Sequence, residues 1–62
     1  MQEIRVGGVY AIQARSFTFG EVTLCQDTVI EIKDITNGMA TFWSSQDNKD
    51  YECDVSGLKW VI

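Results

Sequence analysis

The side chains able to do chemistry in this chain are few. Histidine is absent, which removes the commonest general base and the commonest metal ligand together. The candidate nucleophiles are Ser16, Ser44, Ser45, Ser56, Cys25 and Cys53, but no base stands at a spacing from any of them that marks an activated pair. No glycine-rich phosphate loop occurs. Cys25 and Cys53 lie far apart without a Cys-x-x-Cys pair, and three readings stay open for them: two packed, reduced thiols, a disulfide, or metal ligands. Asp47, Asn48 and Asp50 lack the glycine and the twelfth-position glutamate of an EF-hand loop. The residues therefore predict no catalytic set, no metal site and no cofactor, and the chain reads as non-enzymatic.

Charge narrows the remaining classes. Nine Asp and Glu against five Lys and Arg give a net charge of −4, which argues against a surface built to neutralise nucleic-acid phosphates. Tyr10, Phe17 and Phe19 around Arg15 are the one place where stacking rings and positive charge meet, and a hydrophobic loop packed on the core explains them more simply. Asp50, Glu52 and Asp54, with Glu31 on a nearby strand, place carboxylates on one surface, an arrangement that ordinarily serves solubility and edge protection. No apolar run reaches the roughly 18 residues that would cross a bilayer. The start Met1 to Arg5 lacks the basic and then apolar regions of a signal peptide. A cytoplasmic chain with no membrane segment is the expectation.

The elements that must position any site are strands. Val, Ile and Thr number 17 of 62 residues and the aromatics seven, side chains that suit a pleated, half-buried surface. No window shows the three-and-four spacing of a long amphipathic helix. A glycine pair at Gly7-Gly8 opens an alternating strand from Val9. Arg15 to Gln26 reads as a loop with some strand: Phe17, Phe19, Val22 and Leu24 alternate with polar residues, but Gly20 interrupts them. Thr28 to Ile35 and Met39 to Trp43 are strands flanking Thr36-Asn37-Gly38. Asp50 to Val55 alternates without fault, with Tyr51, Cys53 and Val55 inward and Asp50, Glu52 and Asp54 outward. Ser56-Gly57-Leu58 suits a tight turn, and Lys59 to Ile62 a short last strand.

The register of the central hairpin follows from the apolar pattern. A two-residue Asn37-Gly38 turn would pair Ile35 with Ala40 and set Phe42 opposite Lys33, splitting the apolar set between the faces. A three-residue loop with Gly38 left-handed pairs Ile35 with Met39 and Ile32 with Phe42. Ile30, Ile32, Ala40 and Phe42 then share the dry face. Glu31, Lys33, Ile35, Met39, Thr41 and Trp43 share the other.

Strand, long loop, hairpin, strand, tight turn and last strand is the order of an all-β, five-stranded SH3-like barrel spanning residues 1–62 as one domain, with one tight turn before the final strand. The frame of Val6-Gly7-Gly8-Val9-Tyr10, the Asn37-Gly38 turn, Ala40-Thr41-Phe42-Trp43, Tyr51-Glu52-Cys53-Asp54-Val55 and Leu58-Lys59-Trp60 resembles short SH3-like proteins of bacteriophage and prophage genomes. The chain departs from their common pattern in having Gly8 where Asp is usual, and in its longer Arg15 to Gln26 stretch. The resemblance implies a phage accessory protein that binds or inhibits a host protein. It carries over no functional residue.

A contact surface follows from the parity of the central strands. Trp43, Met39 and Ile35 form an apolar stripe on the outer face, where large apolar side chains mark partner sites. Phe17 and Phe19 lie in the long loop, a second candidate contact. The expected partner is a protein, either a host protein or a second copy, and a homodimer through the stripe would relieve the small core. A nucleic-acid-associated small-barrel regulator and a self-associating structural subunit are the alternatives.

Overall fold

The computed structural model describes residues 3–62; Met1 and Gln2, the first residues in the reading of the leader, lie outside them. The described chain is mostly strand: β1 (Val9–Ala11), β2 (Ser16–Phe19), β3 (Val22–Cys25), β4 (Val29–Thr36), β5 (Met39–Ser44) and β6 (Lys49–Asp54), followed by one helical turn, α1 (Val55–Leu58). β1, β4, β5 and β6 form a four-stranded antiparallel sheet in the order β1-β4-β5-β6, and β2 and β3 form a separate two-stranded sheet.

The all-β class is thus as expected, while six strands in two sheets stand in place of a closed five-stranded barrel. Two segments account for the difference. Arg15 to Gln26, expected as loop with some strand, is a full hairpin in which Phe17 pairs with Leu24 and Phe19 with Val22. Its turn runs through Gly20 at φ +55°, a left-handed conformation that glycine enters without strain. The expected last strand is absent: Lys59 to Val61 continue from α1 as turns. Leu58 and Ile62 are buried while Trp60 is 78% exposed, so the tail follows the four-residue spacing of a helix rather than strand alternation. The tail still closes onto the segment that follows the first strand, because Gln13 and Ala14 both donate their amides to the Val61 carbonyl.

The central hairpin combines parts of both registers considered from the sequence. Asn37 (φ +53°) and Gly38 (φ +78°) form a two-residue turn with both centres left-handed, and Thr36 pairs with Met39 and Ile35 with Ala40. A shift between Ile32 and Asp34 then restores Ile32 opposite Phe42. The extra residue is therefore Lys33, a β-bulge inside the strand, rather than a third residue of the loop. The expected dry face survives: Ile30, Ile32, Ala40 and Phe42 are all buried. Ile35 does not stay on the outer face where the loop reading put it. Opposite Ala40 it turns inward and packs against the core.

The core is closed by the small hairpin. Leu24 is fully buried in one cluster with Ile30, Ile32 and Phe42 of the large sheet, and Phe17, Phe19 and Val22 pack against that cluster. Phe19 meets Phe42 and Tyr51 edge-on, each with ring centres 5.7 Å apart, a favoured aromatic geometry. A polar clamp fastens the same hairpin from the side. Gln46, between β5 and β6, accepts from the Cys25 amide at 2.9 Å and donates to the Thr23 carbonyl at 3.0 Å, as a neighbouring strand residue would. Its carbonyl also accepts from the Thr28 hydroxyl at 3.4 Å. Replacing Gln46 by Ala should destabilise the protein by about 1–3 kcal/mol, because the Cys25 amide and Thr23 carbonyl regain water while the hydroxyl of buried Thr28 loses its partner. Hydrogen exchange should speed first at the Cys25 amide; unchanged exchange there would show the clamp to be incidental.

Candidate docking surface

Alternation on β5 divides its side chains cleanly. Ala40, Phe42 and Ser44 are buried and Met39, Thr41 and Trp43 are half-buried on the opposite side. Cross-strand pairing assembles the outer face around Trp43: Val9 pairs with Glu31, Glu31 with Trp43, and Trp43 with Asp50. Val29, beside Ala11, flanks this row. Val9 is 63% and Val29 39% exposed, and Glu31, Asp50 and Glu52 are exposed as well.

The indole itself is fixed. Its Nε1 donates to Oδ1 of Asn48 at 2.8 Å, and Asn48 holds φ +55°, a conformation that asparagine tolerates better than most residues. The β5–β6 turn thereby sets the orientation of a ring that stays half-buried. An aromatic side chain already held by a hydrogen bond at one end loses little entropy on meeting a partner.

The five residues picked from the sequence do not share one surface. Trp43 and Met39 stand together on the outer face. Ile35 lies on the inner side for the reason given by the bulge, and Phe17 and Phe19 are half-buried on the small hairpin with ring centres 5.1 Å apart, packed against the core. Trp60 was missed. The signal that could have found it is the spacing of Val55, Leu58 and Ile62, which is helical and excludes position 60 from the buried side.

The outer ladder on β6 is acidic as expected, with Asp50, Glu52 and Asp54 all exposed. Among the described residues the one ion pair joins Arg5 to Glu3 at 3.5 Å, so none of these three carboxylates has an internal cation. On the inner side of the same strand Tyr51 donates to Asp47, a bond that raises the phenol's pKa. Cys53 is buried beneath the sheet and Cys25 exposed, both as free thiols.

Burial, and secondly the charge of Asp54, push the Cys53 thiol up to about 11 from a reference of 9.0. An acid whose pKa is higher folded than unfolded gives stability that is complete below the unfolded value and lost as pH rises through the folded one. Stability should therefore decline between about pH 9 and 11, with Tyr51 adding in the same direction. Denaturant midpoints across this range should show a shallower decline in Cys53→Ala; an unchanged slope would remove the thiol from the account.

Among the described residues no pocket is present and no three metal-ligating side chains gather. No helix of the described residues is long and apolar enough to cross a membrane. Comparison of the chain with protein-family models, curated proteins and solved structures gives no match.

Proposed function

We propose that this chain is a non-enzymatic binding module that docks a protein partner on the outer face of its four-stranded sheet, with Trp43 and Met39 at the centre. The observation that carries this reading is the half-buried indole of Trp43, oriented by Asn48 on the side of the sheet away from the core. Tryptophan and methionine are both enriched where protein interfaces bury most surface.

An SH3-like relationship belongs to the same proposal. It is supported by the order of strand, hairpin, three antiparallel strands and helical turn, and by the tail's return, through Val61, to the segment just after the first strand. With it comes the reading as a cytoplasmic phage accessory protein acting on a host protein, which rests on the sequence resemblance. Phe17, Phe19 and Ile35 serve this function by holding the hairpin and the sheet together, and Trp43 and Met39 meet the partner.

Capture of a host protein by the purified chain, repeated with Trp43→Ala and Met39→Asp, tests the surface. Both side chains are half-buried and outside the core, so the variants should fold, and their circular dichroism should match the parent. Each should lose at least about tenfold in affinity, the effect of one central interface residue. Equal capture by the parent and both folded variants would rule this face out.

A further inference from the structure

β6 is the free edge of the large sheet, and its backbone polarity can be read from its ladder. Every pairing between β5 and β6 runs in one unbroken register from Met39 opposite Asp54 to Ser44 opposite Lys49. The Val55 amide donates to the Gly38 carbonyl at 2.9 Å, extending that register by one step. In an antiparallel ladder, pairs that exchange hydrogen bonds alternate with pairs that do not. Val55 and Gly38 fix the phase, so Cys53 and Tyr51 bond to β5, whereas Asp50 and Glu52 turn their N–H and C=O groups to the open edge. Asp54 is the N-cap of α1, so its carbonyl begins the helix.

The residues with outward-facing backbone groups are thus the ones whose carboxylates stand on the outer face. A strand added antiparallel at this edge would bond Asp50 and Glu52 through residues directly opposite them, and opposite residues project from the same face. Those positions meet acid. Asp50 also neighbours Trp43 across the sheet, in a pair without hydrogen bonds, where side chains approach most closely. A long cationic side chain opposite Asp50 starts about 10 Å from Trp43, two strand spacings away, and can lie over the carboxylate toward the ring.

From this geometry we infer that the partner is an extended segment of another protein with lysine or arginine at alternate positions, which adds as a fifth strand along β6. The inference deepens the docking reading above and rests on it. A second copy is a poor occupant, since two β6 edges in antiparallel pairing would set carboxylate against carboxylate. Nucleic acid is repelled by the same ladder. Carboxylates on an edge strand ordinarily prevent pairing with other strands, and here they admit only a strand of opposite charge.

The test uses an acetylated and amidated octapeptide of alternating lysine and valine, titrated into the ¹⁵N-labelled chain. Two copies carry N-methyl groups, one on the lysine amides and one on the valine amides. The parent peptide should shift the Asp50 and Glu52 amides and slow their hydrogen exchange. Methylating the lysine amides, which face β6, should abolish binding, while methylating the valine amides should leave it. Glu52→Lys should weaken binding about tenfold or more, and Glu3→Lys, an equal charge change beside Tyr10 of β1 at the opposite edge of the sheet, should match the parent. Binding that survives lysine-amide methylation, or equal losses in the two charge variants, overturns strand addition. Shifts confined to Trp43 and Met39 would also overturn it while leaving face docking intact. No binding of the peptide at low salt removes the cationic-strand partner and leaves face docking to the Trp43→Ala and Met39→Asp captures.

Discussion

Phe42→Ala should leave the chain largely unfolded at room temperature. Phe42 has no exposed surface, sits between Ile32 and Tyr51 in the sheet, and packs its ring against Phe19 and Tyr51 at centroid distances of 5.7 and 6.1 Å. Truncating a buried phenylalanine costs about 3–5 kcal/mol, cavity included. A domain of this length has a total stability of roughly 3–9 kcal/mol, so the loss is comparable with the whole. A urea melt followed by tryptophan fluorescence should show no folded baseline for Ala and a reduced but cooperative transition for Phe42→Leu, which keeps most of the volume. A parent-like midpoint in the Ala variant would mean that the centre of the core lies elsewhere.

Leu24→Ala should abolish the hairpin's hold on the sheet and with it the cooperative fold. Leu24 is the one fully buried residue of β2 and β3, and its truncation costs about 2–5 kcal/mol. A hairpin of four-residue strands has no independent stability in water. The large sheet would fare little better alone, since losing the hairpin uncovers the inner face at Phe42 and Tyr51, which Phe19 now covers. Hydrogen exchange should accordingly accelerate together at Thr23, Ile32 and Phe42. Fast exchange at Thr23 with Ile32 and Phe42 still protected would show instead that the two sheets open as separate units.

Both expectations rest on residues whose role is visible in the sequence. Alternation marked Ile30, Ile32, Ala40 and Phe42 as one buried set, and the structure buries all four. It likewise sorted Tyr51 and Cys53 inward and Asp50, Glu52 and Asp54 outward, in agreement with the burial along β6. Parity is robust where each strand keeps a period of two. It fails where one residue is added without a marker: no glycine or proline stands at Lys33, whereas Gly38 offers an obvious place for an extra residue in the turn. The consequence fell on Ile35, which lies beyond the bulge. Trp43 and Met39 lie on the partner strand and kept their outward side. In the tail the period is ambiguous, because Lys59 to Ile62 is too short to distinguish alternation from a helical turn without Val55 and Leu58 as reference. The free edge of β6 could not be read from residues at all, since strand order depends on which segments meet in space.

The spare residue at position 33 also bears on how this domain tolerates changes in length. Between Ile32 and Ile35, β4 carries two residues where β5 has only Thr41. Deleting Lys33 would leave Asp34 opposite Thr41 and Ile35 opposite Ala40 in an even ladder, with inside and outside preserved for every side chain. The same deletion at Glu31 or Thr41 would invert the strand beyond it and send apolar groups into water. Shortened variants of this domain should therefore survive at that one point of β4 and nowhere else along the central pair.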